Sequence, residues 1–225
     1  MLKKLLVILV ALIVPFILVA SAIRVVANPW FIQFEYHRPG FPADLYGFTT
    51  EERTPLALAG LYSVVPEGAG MSLLEEARLP NGEPAFTARE IKHMLDVRVL
   101  MRQVFPLTIL LIAGVIVLAV IFRKNKTYRD TVPQGLRAGA ILTLALLAGL
   151  IAYVLINFDA FFLQFHRLFF EGDSFQFRYD DTLIRLYPEQ LWSDAAILIG
   201  VLTAGMAVGL LAVSWWWVRR VKRDA

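Results

Sequence analysis

The stretch that decides the fold is Phe105–Phe122, FPLTILLIAGVIVLAVIF, which contains no charged side chain. A helix of about 18 apolar residues is long enough to cross the hydrocarbon core of a bilayer. Three further stretches carry the same signal, namely Leu5–Val26, Ala138–Phe158 and Ala195–Val218. Within the last of these, Gly205–Gly209 is a GxxxG pattern, which is compatible with close packing against another helix. The four stretches predict an all-α membrane protein with four transmembrane helices.

The composition agrees with this prediction. Of the 225 residues, 58% are hydrophobic, whereas the apolar share of a soluble domain is roughly 45–50%. We therefore expect residues 1–225 to form a single integral membrane domain. The chain contains no cysteine, which excludes thiol catalysis, cysteine-ligated metals and disulfide bonds.

The positive charges concentrate in three short segments that flank the predicted spans. Half of the 22 Lys and Arg residues lie there: Lys3, Lys4, Arg123, Lys124, Lys126, Arg129, Arg137, Arg219, Arg220, Lys222 and Arg223. By the positive-inside rule these segments, and with them both termini, face the cytoplasm. Residues 27–104 and 159–194 then form a long first and a shorter second extracytoplasmic loop. Basic segments in these positions are expected to contact anionic membrane lipids, and no nucleic-acid partner is predicted.

The first span also resembles a cleavable signal peptide. Two lysines precede it, and Ala20-Ser21-Ala22 matches an A-x-A cleavage site. Its apolar run is longer than the roughly 7–15 residues usual for such a signal, so we expect the helix to be retained. Cleavage would not change the side of the membrane that the two loops face.

Two stretches of the first outer loop carry helix-start signals. Thr49 or Thr50, followed by Glu52, predicts the start of a short helix over EERTPLALAGLYSVV. Thr87, followed three residues later by Glu90, forms a capping-box pattern at the start of AREIKHMLDVRVLMRQV. We expect this second helix to be amphipathic and to continue into the second span.

The second outer loop is rich in aromatic residues. Four phenylalanines recur at helical spacing and predict a helix that lies in the headgroup region: Phe161, Phe162, Phe165 and Phe169. The stretch EGDSF that follows predicts a turn. After it, DDTLIRLYPEQLW predicts a short capped helix that ends near Pro188 and leads to the fourth span.

The reactive side chains of the predicted outer face are three histidines, His37, His93 and His166. Histidine is the residue most readily poised as a base near neutral pH. His93 and Asp96 are three positions apart in one helix, so their side chains can meet on one face. The alternative without a function for the pair is an amphipathic interfacial helix whose charged side chains are solvated.

Three kinds of catalytic site can be compared with these residues. A serine hydrolase needs an activated serine, but no serine lies in a nucleophile-elbow sequence. A zinc site could use two or three histidines with Asp96 or Glu90, but no HExxH spacing is present. Acyl transfer by base catalysis needs a histidine that takes a proton from an external nucleophile and a donor that stabilises the oxyanion. This third site requires least of the sequence, but from the residues alone a chain without catalysis is favoured over it.

Three stretches resemble a known family. They are YGFTTEERTPLAL (Tyr46–Leu58), AREIKHMLDVRVLM (Ala88–Met101) and FHRLFFEGDSFQFRYDDTLIRLYPEQLW (Phe165–Trp192). Together with the order of spans and loops, they are similar to a bacterial four-span membrane family long called DUF1461. Its characterised branch is the lipoprotein intramolecular transacylase. The resemblance implies the bacterial cell membrane as the location and an active face outside the cytoplasm.

The resemblance also implies an activity and its residues. The characterised branch moves an acyl chain from the sn-2 ester of a lipoprotein's diacylglyceryl cysteine to the amino group of that cysteine. Its two catalytic histidines match His93 and His166, and His37 lies outside the matching stretches. Tyr46 and Arg53 match positions where a supporting role is expected, and Asp96 is a candidate to orient His93.

The partner implied by the resemblance is a diacylglyceryl-modified lipoprotein or another lipid substrate, with no metal or cofactor. Two alternatives remain at this stage. One is a non-catalytic membrane assembly or sensor protein with the same fold. The other is a metal-dependent lipid hydrolase.

Overall fold

A computed structural model describes residues 1–170 and 175–223 of the chain. Within these ranges the structure contains nine helices and no strand. The helices are α1 (Leu2–Val26), α2 (Pro29–His37), α3 (Thr50–Val64), α4 (Ser72–Glu75), α5 (Ala88–Phe122), α6 (Thr131–Ile156), α7 (Phe158–Phe169), α8 (Thr182–Leu186) and α9 (Glu189–Arg223). The predicted all-α class is confirmed.

Four of these helices, α1, α5, α6 and α9, are long and apolar enough to cross a membrane. The four predicted spans are confirmed, except that the third ends with α6 at Ile156, two residues before its predicted end at Phe158. The helix predicted to lead into the second span is continuous with it as α5. The ionisable side chains of α5 all lie before its apolar stretch 105–122: Arg89, Glu90, Lys92, His93, Asp96, Arg98 and Arg102. The first four to five turns of α5 are therefore outside the membrane-spanning segment.

Both predicted helix caps are present. Thr49 caps α3, and its backbone N–H donates to the Glu52 carboxylate. The hydroxyl oxygen of Thr87 accepts from the backbone N–H of Glu90 at the start of α5. The structure adds the helices α2 and α4, which the sequence did not predict. The turn predicted at EGDSF falls on residues 171–174, outside the described residues, apart from Phe175.

Contacts between Cα atoms divide the chain into two compact units. The first comprises Met1–Ile23, Phe105–Phe158 and Leu198–Ala225, and the second comprises Arg24–Val104 and Asp159–Ile197. The first unit thus holds the apolar parts of the spanning helices, and the second holds the segments predicted to be outer loops. The single domain predicted for residues 1–225 stays a prediction.

In the first unit, α1 and α6 approach each other at two glycines of α6. A Cβ atom added at Gly139 would lie 2.5 Å from the Cβ of Val14, and one at Gly135 would lie 2.6 Å from the Cβ of Val10. The two helices can approach this closely only because glycine has no side chain. Small residues at contacts of this kind are common between membrane helices. In contrast, a Cβ added at Gly205 or Gly209 of the GxxxG pattern would meet no atom within 4 Å.

In the second unit, α8 is anchored by side chains of other elements. The Tyr36 hydroxyl donates to the carbonyl oxygen of Leu186 at 2.5 Å, and the Arg53 guanidinium donates to that of Arg185 at 2.8 Å. The Tyr187 hydroxyl, just after α8, donates to the carbonyl oxygen of Ala57 in α3 at 2.6 Å. These bonds fix α8 against α2 and α3.

The close approach of α1 and α6 makes a prediction about stability. Gly139→Ala places a methyl group against Val14 and should destabilise the protein by about 1–3 kcal/mol. The reason is that the backbones of α1 and α6 must move apart to make room for the added methyl group. The measurement is thermal unfolding of the purified protein in detergent. Gly149→Ala in the same helix is the matched control, since an added Cβ there meets nothing within 4 Å. An unfolding temperature of Gly139→Ala equal to that of the control would contradict the packing described.

Candidate functional site

His93 lies on the second turn of α5, in the second unit. Its ring packs edge-on against two phenylalanines, with centroid distances of 5.1 Å to Phe170 and 5.3 Å to Phe177. Its Nδ1 atom is buried and has no hydrogen-bond partner among the described residues. A buried polar atom without a partner is costly, and such atoms are often found where a protein binds a ligand or performs chemistry.

His166 lies on α7 and is held by its own helix. Its Nδ1 atom is 2.8 Å from the carbonyl oxygen of Phe162, one turn earlier. A carbonyl oxygen can only accept a hydrogen bond, so Nδ1 must carry the proton. In the neutral ring the lone pair is then on Nε2, which can accept a proton from another molecule.

Phe170 contacts both histidines. Its ring centroid is 5.1 Å from that of His93 and 5.9 Å from that of His166, and its side chain is buried. The two imidazoles are therefore no farther apart than these two distances added together. The structure thus brings together the two histidines that the family resemblance singled out.

Four further phenylalanines form an aromatic cluster around the imidazoles together with Phe170: Phe162, Phe165, Phe175 and Phe177. Phe175 is stacked on His166 at 4.9 Å, and Phe177 contacts His93. Phe162 lies 4.0 Å from His166 on the same helix. Among the described residues two rings contact His93 and four contact His166, Phe165 at 5.5 Å included, so the neighbourhood of both imidazoles is largely apolar.

This environment lowers the basicity of both histidines. Burial lowers the pKa of His93 to about 4, with a smaller contribution from the nearby His166, while Asp96 acts in the opposite direction. Burial also lowers the pKa of His166, and the hydrogen bond to the Phe162 carbonyl opposes that shift. Desolvation disfavours the charged imidazolium. Both rings are therefore neutral at pH 7, which is the form that can accept a proton.

A buried carboxylate links the His93 helix to the segment that carries Phe175 and Phe177. Glu90 is fully buried, and its Oε1 accepts from the backbone N–H of Leu183 at 2.7 Å. Its Oε2 accepts from the backbone N–H of Thr87 at 2.7 Å and from the Thr87 hydroxyl at 2.9 Å. The carboxylate therefore serves as a helix cap and as a tether to α8.

The three supporting candidates occupy different places. Asp96 is close enough to His93 to affect its pKa but does not bond its Nδ1. Arg53 is buried, donates to the Pro42 carbonyl at 2.9 Å, and lies over the Tyr36 ring. Tyr46 is exposed.

The described contacts of Tyr46 and Arg53 meet at Arg185 rather than at an imidazole. The Arg185 guanidinium lies 5.6 Å from the Tyr46 ring centroid and 3.5 Å from that of Phe48. It also pairs with Asp44 at 2.8 Å. His37, which the resemblance did not include, is exposed, and its Nδ1 lies 2.7 Å from the carbonyl oxygen of Gln33.

The sequence did not identify Phe170, Phe175 and Phe177 as parts of the site. The phenylalanines were interpreted as interfacial packing, and their number in this loop obscured the few that contact histidine. The sequence signal that could have identified two of them is the alternation of Phe175 and Phe177 in the segment that leads to α8. The sequence also left a zinc site open. Within residues 1–170 and 175–223, no three His, Asp or Glu side chains are grouped in a way that could hold a metal ion.

Comparison with known proteins places the chain among relatives. A protein of Aquifex aeolicus (strain VF5), described only as uncharacterized, is 35% identical over 205 residues, which is 89% of each chain. In meso structures of the membrane integral lipoprotein intramolecular transacylase Lit from Bacillus cereus have a similar fold. One matches with a TM-score of 0.76 and 23% identity, over 100% of this chain and 99% of the other.

A second structure of that enzyme, with a histidine-to-arginine mutation, matches with a TM-score of 0.75 and 21% identity, over 100% of this chain and 95% of the other. At these identities the structural likeness shows the fold. The sequence itself matches the family described as "Lipoprotein intramolecular transacylase Lit" over residues 7–192. The chain therefore belongs to the lipoprotein intramolecular transacylase family.

Proposed function

We propose that this chain moves an acyl chain within the lipidated N-terminal cysteine of a lipoprotein, from the sn-2 ester to the α-amino group. The observation that carries the proposal is the meeting of His93 and His166 on Phe170 in a member of this family. Support also comes from the multi-pass membrane fold, because the substrate is itself a lipid-anchored molecule.

The proposed reaction needs one proton to move and no water. The amine nitrogen attacks the ester carbonyl carbon, and a C–N bond forms. The tetrahedral intermediate then breaks its C–O bond to the glyceryl sn-2 oxygen. The proton lost by the amine ends on that oxygen, so the products are an amide and a free hydroxyl. Since both reacting groups belong to one molecule, holding them in position removes much of the barrier.

The two histidines are suited to different roles in this reaction. His166 has its Nδ1 proton engaged by the Phe162 carbonyl, so its Nε2 accepts the amine proton and returns it to the leaving oxygen. His93 is neutral and has an unpartnered Nδ1. Its imidazole donates a hydrogen bond to the ester carbonyl oxygen as negative charge develops there, as neutral histidine can do when its pKa is low.

The exposed side of α7 favours a lipid substrate. Large apolar side chains of this helix are exposed, two of which, Phe162 and Phe165, also contact His166: Phe162, Phe165, Leu168 and Phe169. A helix with such a face lies in the membrane interface, with its apolar residues in the acyl region. Because His166 is on the same helix, its imidazole is placed near the depth of an ester group at the headgroup boundary.

We further propose that the second unit faces the outside of the cell, because the basic segments flank the opposite ends of the spans. The absence of cysteine allows a clean test. Asn81→Cys should react with a membrane-impermeant maleimide in intact cells, whereas Lys126→Cys should react only after lysis. Both native side chains are exposed, and the reverse labelling pattern would contradict the orientation.

The catalytic roles predict the effect of removing each histidine. His93→Ala and His166→Ala should each lower lyso-form product by roughly 10²-fold or more, the range usual for a lost acid or base. The measurement is mass spectrometry of lipoprotein N-terminal peptides from cells that express each variant in a host without its own transacylase.

His37→Ala is the control and should retain the wild-type amount of product, since that ring is exposed and bonds its own helix. Diacylglyceryl peptides that stay unchanged in cells expressing the wild-type chain would contradict the proposed function. Full activity in both His93→Ala and His166→Ala would contradict the mechanism.

A further inference from the structure

The carboxylate of Glu90 makes a hydrogen bond to α8 in addition to the bonds of its capping box. In a capping box the glutamate side chain accepts from the backbone N–H of the capping residue, usually at the surface. The Thr49 and Glu52 pair of α3 is of that kind, and the Glu52 carboxylate accepts from the Thr49 N–H at 2.9 Å in an exposed position. Glu90 makes the same contact with Thr87 but is fully buried and also accepts from Leu183.

Burying a carboxylate is costly unless hydrogen bonds compensate for the lost water. Glu90 receives three of them, two from Thr87 and one from Leu183. The two from Thr87 are local to the helix start, and the N–H bond of this kind also forms at an exposed position between Thr49 and Glu52. The additional N–H comes from α8, which is 93 residues later in the chain. The contact therefore joins two segments that nothing local would bring together.

Both joined segments carry parts of the site. Glu90 precedes His93 by one turn of α5, and Leu183 follows the stretch that contains Phe175 and Phe177. Those phenylalanines contact His166 and His93, respectively. Without the hydrogen bond to Leu183, Tyr36 and Arg53 would still hold α8 to α2 and α3, but its contact with the histidine helix through Glu90 would be lost.

We propose that Glu90 is a positioning residue for acyl transfer, whose carboxylate holds the aromatic segment 175–177 against the two histidines through Leu183. This inference rests on the proposed function for its effect on catalysis. Its effect on the histidine environment can be tested without substrate. Glu90 touches neither imidazole in the described contacts, so it acts through the position of the phenylalanine rings.

The groups that surround His93 determine what the loss of Glu90 should do. Asp96 on the same helix favours the charged imidazolium, and His166 on α7 disfavours it. Arg89, whose guanidinium lies 5.8 Å from the Phe177 ring centroid, is the cation on the aromatic side. Burial is the largest influence on the pKa of His93. Water that enters when Phe177 moves should therefore raise this pKa toward the ordinary histidine value.

The test follows the ring of His93 by NMR in purified protein labelled with 13C at histidine Cε1, with its signal assigned by His93→Gln. In the wild type the ring should stay neutral until the pH falls to about 4. In Glu90→Ala and Glu90→Gln the midpoint should rise by roughly 1 unit or more. Glutamine has the same shape as glutamate, but its N–H₂ group would face either Thr87 or Leu183, both of which donate. We therefore expect Glu90→Gln to shift the midpoint as Glu90→Ala does.

The same variants should lower kcat for lyso-form production by roughly 10²-fold while they change KM little, because misplacement of reacting groups affects the transition state most. Glu52→Ala removes a capping carboxylate without a tether and should leave both the His93 midpoint and kcat unchanged. A His93 midpoint in Glu90→Gln equal to that of the wild type would overturn the positioning role. A different result separates the two proposals. If the His93 midpoint shifts in the Glu90 variants but even the wild-type chain makes no lyso-form product, the proposed function is contradicted and the positioning role of Glu90 is supported.

Discussion

The second unit is held together by hydrogen bonds from the side chains of three other helices to the backbone of α8. Five residues are too few for a helix to be stable by itself, since helix nucleation is costly and short helices gain few bonds. Side chains from elsewhere supply what the helix lacks. Glu90 accepts its Leu183 N–H, while Tyr36 and Arg53 donate to its last carbonyl groups. The ion pair of Arg185 with Asp44 adds a charged contact from a further loop.

This anchoring has a chemical consequence next to α8. The segment before it places Phe175 and Phe177 on the two imidazoles, and Phe170 lies between them. The rings displace part of the water around each imidazole, and this partial burial lowers the pKa of both histidines. A base of low pKa accepts a proton less strongly than an ordinary imidazole, but in the proposed reaction a partly desolvated site would strengthen the dipoles that face the ester carbonyl. In the proposed transfer, fewer water molecules near the ester would also favour the amine over water as the nucleophile.

The parts of this fold that the sequence predicted are those with local causes. The spans follow from uninterrupted apolar runs such as Phe105–Phe122, and the capping boxes at Thr49 and Thr87 follow from residues three positions apart. The pairing of His93 with His166 came from the resemblance to a family rather than from spacing. The hydrogen bond between Glu90 and Leu183 and the bonds that Arg53 and Tyr36 make to α8 were not predictable, because their partners lie 93 to 150 residues away. A sequence pattern carries no signal for a side chain that bonds a distant backbone group.

The central claim is that His166 is a neutral imidazole with its proton on Nδ1, which leaves Nε2 to accept a proton from the substrate. The 15N chemical shifts of the histidine rings at pH 7, measured on labelled protein in membrane-mimetic bicelles, test it most directly. The signal of His166 is assigned by its loss in His166→Gln. The account predicts a proton-bearing Nδ1 and an unprotonated Nε2. A proton on Nε2 alone, or shifts of a charged imidazolium, would contradict it.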